Sequence, residues 1–311
     1  MRFAVEAWAP EYGGAIEEAA LTPSDVVVDP EVEVALAEWA PRPASAEPAT
    51  AVLFVDGVRR VEARVWVTGE DGVVRQGICA SYAAGAVRAD GRAAIVAAAV
   101  RRGLFCPAAG AAPIETRHGR FPHVAAAGDD VAHLSLCLQQ RMGDLEVEVA
   151  DEAAQAHPGE LIVVDGPLRQ HRHLPKAVGY IKTMHRSYGP PIVLDVARQL
   201  DSGQRTPVMV VGEGFTRYTW YVRLPEMGGP AHPLAGLVRC ELSADTARSE
   251  VIAIADRVTS TLPRFASRPH KDTRAPQNLY PIAGLERELR RRLGDPALLY
   301  RALRRAAADA A

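Results

Sequence analysis

The feature that most constrains this chain is a unit that occurs twice: a short, wholly apolar run that ends in Asp-Gly. Ala51-Val-Leu-Phe-Val55 precedes Asp56-Gly57, and Leu161-Ile-Val-Val164 precedes Asp165-Gly166. Apolar runs of this length read as strands buried on both faces. The Asp-Gly that follows reads as the turn ending each strand. Between the two units, Val61 to Val67 alternates apolar and polar residues, Gly69-Glu-Asp-Gly72 is a hairpin signal, and Val73 to Val87 supplies a further strand or two. Three consecutive antiparallel strands are therefore expected. The Ala/Val-rich stretch Arg92 to Arg102 reads as a short helix. Residues 103–128 read as a loop with strands near Ile114 to Thr116 and Phe121 to Val124. Asp129 or Asp130 then caps a long helix, Val131 to Ala156. There Leu134, Leu138, Met142, Leu145 and Val149 recur at spacings of three and four.

Beyond the second unit the chain becomes basic, from Arg169 through His171, His173, Lys176, Lys182, His185 and Arg186. Strands are expected at Pro207 to Val211, Tyr218 to Leu224 and Leu237 to Leu242, and a helix at Thr246 to Leu262. An irregular basic loop, Pro263 to Asn278, leads to an Arg-rich helical stretch from Leu285 to Ala308. Residues 1–48 hold ten acids and two bases and end in the Pro/Ala stretch Pro41 to Pro48. They read as an acidic accessory segment and linker, with the main domain at 49–311. The net charge is −2, so a segment at −8 leaves +6 on the remainder, a balance compatible with a polyanionic partner. No run of 18 or more apolar residues occurs, so no membrane span is expected. The opening MRFAVEAWAPEYGG carries Glu6 and Glu11 and lacks a signal peptide's apolar core; the cytoplasm is the expected compartment. Cys79, Cys106, Cys137 and Cys240 are scattered without CxxC spacing, which argues for buried thiols rather than a zinc site or disulfide framework.

The order of elements is strand–Asp, two antiparallel strands, helix, strand–Asp. It resembles the core of the ribonuclease H-like fold, an α/β fold with a mixed sheet flanked by helices. In that fold the two Asp-bearing strands lie side by side, which implies that Asp56 and Asp165 meet. Two close carboxylates repel, and a divalent cation removes the repulsion. Mg²⁺ and Mn²⁺ prefer oxygen ligands and suit phosphodiester cleavage. The fold's helix usually adds a third carboxylate. Glu146 and Glu148 are the candidates; they are two residues apart and cannot face one site together. Glu146, beside the apolar stripe, is the expected one. Lys182 reads either as a contact to the scissile phosphate or as a surface lysine. His171-x-His173 beside arginines reads as phosphate or solvent contact rather than a metal site. Arg186, Arg268, Arg274 and the run Arg287 to Arg292 are candidate DNA contacts; the run equally fits the exposed face of an amphipathic helix.

Several segments together resemble the NurA family of DNA-end-processing nucleases. Phe54-Val-Asp-Gly57 is similar to the family's first active-site strand, and Leu161 to Leu168 to its second. Val178-Gly-Tyr-Ile-Lys182 resembles the Gly-x-x-Lys segment that follows. Asp272 to Ile282, then Leu285-Glu286, resembles the C-terminal block of bacterial members. The resemblance implies Mn²⁺-dependent (or Mg²⁺-dependent) cleavage of DNA, a homodimer, and partnership with a hexameric HerA-type ATPase translocase. It implies a substrate role for Tyr280 and a metal-ligand role at Glu286, which stands where archaeal members place a histidine. The alternative is a catalytically idle ribonuclease H-like module that binds DNA or a translocase. A kinase-type phosphotransferase would need Gly-rich phosphate loops, and Asp56-Gly-Val-Arg-Arg60 offers none.

Overall fold

The computed structural model describes residues 22–184, 186–212, 216–225 and 234–310. Its strands are β1 (Thr22–Pro23), β2 (Val27–Asp29), β3 (Arg42–Pro43), β4 (Val52–Thr68), β5 (Val74–Ala89), β6 (Ala93–Cys106), β7 (Ile114–Thr116), β8 (Gly119–Phe121), β9 (His123–Ala125), β10 (Leu161–Asp165), β11 (Ala177–Ile181), β12 (Arg186–Ser187), β13 (Gln204–Arg205), β14 (Met209–Gly212), β15 (Arg217–Arg223) and β16 (Leu237–Ser243). The helices are α1 (Val131–Ala156), α2 (Pro191–Gln199), α3 (Arg248–Thr261), α4 (Tyr280–Arg292) and α5 (Pro296–Asp309). Twelve of the described strands form one large mixed sheet flanked by helices, in the hydrogen-bonded order β2-β14-β15-β16-β11-β10-β4-β5-β6-β9, with β13 and β3 paired beside β15. β10 and β11 run parallel, whereas β11 and β16 are antiparallel.

The chain divides into two compact units, one made of residues up to 54, 88–94 and 156–283, the other of 55–87, 95–155 and 284 onward. In the first, α2 packs Val193 and Val196 onto Met209, Tyr221 and Leu237 of the sheet, and Trp39 joins that cluster. The described part of the expected accessory segment is thus built into this unit. β2 pairs with β14, Asp29 opposite Val210, and Trp39 is buried. Glu33 carries a buried charge inward, where both oxygens meet the Arg205 guanidinium at 2.7 and 2.9 Å. Arg205 also donates to Asp256 at 2.7 Å. Residues 1–21, where the rest of the acidic segment falls, lie outside the described residues. In the second unit, Cys79, Leu104, Cys106 and Phe121 form a core with Leu299 and Leu303 of α5.

Three local expectations are corrected. Asp56-Gly57 does not end a strand; β4 runs through it for 17 residues. Arg92 to Arg102 is strand β6, not a helix, because pairing within the sheet outweighs the helix propensity of its alanines. The C-terminal helical stretch is two helices, broken at Leu293-Gly294, and Asp295 caps the second by accepting from the Leu298 amide at 2.9 Å. The long helix lies where its periodicity put it, and Asp130 accepts from the His133 amide at its start. β11 and α2, which the sequence reading did not resolve as elements, complete the first unit. No described helix is long and apolar enough to cross a membrane.

Removing Arg205 would strand two acids in a buried setting, so Arg205→Ala should cost about 3–5 kcal/mol, read by denaturant unfolding. Burial opposes ionisation of Glu33, but the Arg205 hydrogen bond and charge overcome it and hold this carboxyl below its ordinary value. A depressed carboxylate stabilises the fold above its unfolded pKa and loses that contribution as pH falls through the folded one. The melting advantage of wild type over Glu33→Gln should therefore shrink as pH falls below 4.5, the ordinary glutamate value. An advantage independent of acid would contradict the assignment.

Candidate metal centre

Three carboxylates gather at the Asp-bearing strands. Asp56, Asp165 and Glu286 each offer one oxygen, and the three oxygens lie within 4.8 Å of one another. Asp56 sits inside β4 and is 8% exposed. Asp165 is the last residue of β10, and Glu286 lies on α4; both are half-buried. At Asp165 the expected turn does occur. Gly166 has φ +101°, a region that favours glycine, and its amide donates to the Tyr180 carbonyl at 2.8 Å. The chain thus leaves the strand directly behind the carboxylate.

The surroundings of Asp165 are tightly specified. The Lys182 ammonium lies 2.6 Å from its carboxylate, with the two side chains 10% and 14% exposed. Lys182 also donates to Asn278 Oδ1 at 3.0 Å. Asn278 in turn donates to Asp272 at 2.7 Å, and Asp272 accepts from the Arg274 amide at 2.8 Å. Tyr180, opposite Asp165 in the β10–β11 register, donates its hydroxyl to the Gln277 carbonyl at 2.6 Å. Burial, then the charge of Asp165, pushes the Tyr180 phenol well above its usual range, so it stays neutral. A buried asparagine and a neutral tyrosine thus brace the lysine and the aspartate.

Glu146 is held against the first strand. Its carboxylate occupies the space that a side chain at Gly57 would fill, so this glycine gives room for a close approach rather than a turn. Neighbouring residues of a strand point to opposite faces, and Glu146 is not among the three grouped carboxylates. It is half-buried on α1, whereas Glu148 is exposed and paired with Arg101 at 2.6 Å. Of the two glutamates, Glu146 is the one that turns in toward β4, but the carboxylate grouped with Asp56 and Asp165 is Glu286 and not the expected Glu146.

The remaining expected residues differ in exposure. Arg274 is half-buried with its Nε 3.9 Å from Asp272. Arg186 and Arg268 are exposed. Tyr280 is exposed at the start of α4, with Lys271 5.6 Å above its ring. Arg287, Arg290, Arg291 and Arg292 are exposed on α4, and Glu288 pairs with Arg291 and Arg292. Of the histidines, His171 is buried, against the expectation of phosphate or solvent contact, as the inward-facing residue of the short 3-10 helix Arg169–His171 between β10 and β11; His173 is exposed. His185 lies outside the described residues. Asp272 and Asn278, which brace Lys182, carry no periodic or spacing signal that would have marked them.

The donor set is all carboxylate, the oxygen ligands that hard divalent cations prefer, so the group could hold a metal ion. No protein-family model matches the chain, and no curated protein matches it.

A divalent cation held by Asp165 would compete with Lys182 for its carboxylate. Lys182→Met should therefore tighten Mn²⁺ binding, about fivefold if the pair is worth about 1 kcal/mol. Isothermal titration of the two proteins without DNA reads the change; weaker binding in the variant would mean that Lys182 supports the ion instead of opposing it.

Proposed function

We propose that this chain is a divalent-metal-dependent nuclease that hydrolyses phosphodiester bonds of DNA, on a ribonuclease H-like core resembling the NurA family. The observation that carries the reading is the group Asp56, Asp165 and Glu286, oxygens within 4.8 Å of one another, with Lys182 on one of them. Asp56, Asp165 and Glu286 would hold the ion. A bound Mn²⁺ or Mg²⁺ supplies an activated water and offsets charge on the phosphate.

The chain's own residues then have separate tasks. The three carboxylates would fix the cation's place. Lys182, bridged by Asn278, offers a positive charge that can pass from Asp165 to a phosphate oxygen, where it counters charge developing in the transition state. Glu146, lodged over Gly57, adds negative potential on the neighbouring face of β4. DNA-end processing, a homodimer and a HerA-type hexameric ATPase partner come with the family resemblance and belong to the same proposal.

A second reading, a binding module without catalysis, is favoured by the Lys182–Asp165 pair, which already gives one acid a counter-charge. The two readings part on activity. Asp56→Asn and Asp165→Asn should each reduce Mn²⁺-dependent cleavage of linear DNA to the level seen with chelator. Without divalent ions, Asp56→Asn should melt unchanged or higher, since a repelling charge is removed, whereas Asp165→Asn also takes the partner from Lys182 and should melt lower. Wild-type cleavage in either variant would defeat the nuclease assignment, and inactivity of wild type with Mn²⁺ and Mg²⁺ would leave the binding module.

A further inference from the structure

β4 continues for twelve residues beyond Asp56, to Thr68. Its exposed positions after Gly57 are Arg59, Val61, Arg64, Trp66 and Thr68. The alternation slips by one residue between Val61 and Arg64, as a bulge would cause. Ala63, Val65 and Val67 turn to the other side and pack on the cluster containing Leu299 and Leu303. The exposed strip is chemically unusual. Trp66 is 72% exposed and Val61 49%, and a lone surface tryptophan of that exposure lies outside any core.

The charges beside it are of one sign. A cavity of about 360 Å³ alongside the strip is lined by Arg59, Arg60 and Arg64 over Leu134 and Leu138, with no carboxylate in its wall. Arg60 is committed to Glu62 and to the Gly294 carbonyl. Arg59 donates only to neutral oxygens of Ser135, at 3.2 and 3.3 Å. Among the described residues neither Arg59 nor Arg64 is ion-paired. A second cavity, of about 1110 Å³, is lined by residues of both sides of the strand, Arg64 and Trp66 as well as Val65 and Val67, and reaches Tyr300 and Arg304 of α5. Of the acids in its wall, Glu115 is held by Arg120 at 2.8 Å, and Glu70 lies at the far end.

We propose that this strip of β4 is a binding track for single-stranded polynucleotide, with Arg59 and Arg64 on phosphates and Trp66 stacked on a base. The inference rests on the nuclease reading for its purpose and adds the strandedness of the substrate. Arginines that lack carboxylate partners match the charge of a phosphate backbone. An exposed indole face gains by stacking on any base, and a duplex keeps its bases stacked on one another. From Arg59 to Trp66 the strand spans about 23 Å at roughly 3.3 Å per residue, enough for several nucleotides. Neither residue type tests for a 2′-hydroxyl here, so the track selects unpaired strands without selecting the sugar.

The test is anisotropy of fluorescein-labelled dT30 and of a 30-base-pair duplex with the full chain, in EDTA so that no cleavage occurs. Wild type should prefer dT30. Trp66→Ala should weaken dT30 binding about tenfold, and Trp66→Phe should recover most of the loss. Arg59→Ala with Arg64→Ala should lower the salt slope by about 1.4, two phosphates at 0.7 each. All these side chains are exposed, so thermal melting should confirm intact folds. A preference for duplex, or Trp66→Ala binding dT30 as wild type does, overturns the track. Mn²⁺-dependent cleavage is scored separately. Cleavage retained with no Trp66 effect defeats the track alone, and a Trp66 effect in a chain that never cleaves defeats the nuclease reading alone.

Discussion

Mutual repulsion among Asp56, Asp165 and Glu286 is the constraint to which the site is fitted. At 4.8 Å, two unit charges oppose each other by about 3 kcal/mol at an effective dielectric constant near 20. Three such carboxylates hold together where positive charge is supplied or where one of them keeps its proton. Lys182 supplies one charge directly, 2.6 Å from Asp165. Asn278 and Asp272 fix that lysine from behind. Tyr180 stays protonated beside Asp165 and adds no further negative charge. A divalent cation with oxygen ligands would add further positive charge at the group.

The same logic recurs in the buried network of the first unit, with a different outcome. Glu33 and Asp256 meet Arg205, all three side chains largely removed from water, and Arg42 lies 3.4 Å from Glu33. There, the acids find their counter-charge within the protein and no cation is called for. At the candidate centre Lys182 is paired with Asp165, and the grouped carboxylates are of a kind that could hold an ion.

How far these arrangements were legible depends on the range of the interaction. The helix Val131–Ala156 was readable because its signal is local, an apolar stripe at helical spacing. The two Asp-Gly pairs were readable as carriers of the site, but not as equivalents. At Gly166 the chain turns, at φ +101°. At Gly57 the strand continues, and the missing side chain makes room for Glu146 from a helix about ninety residues on. Nothing local distinguishes the two dipeptides. Likewise, the alanines of β6 favour a helix until the sheet beside them is known. Lys182 and Asn278, 96 residues apart, meet only through the fold. Glu286 entered through a resemblance, and its place on α4 among the grouped carboxylates follows from the structure alone.

The central claim is that these three carboxylates form a cation site. Crystals soaked in Mn²⁺ and measured at the manganese absorption edge test it most directly. The account predicts an anomalous peak within ligand distance, about 2.1–2.2 Å, of oxygens from Asp56, Asp165 and Glu286, with the Lys182 ammonium displaced from Asp165. An empty site at saturating Mn²⁺, with Lys182 still on Asp165, or a peak held by other residues, would contradict it.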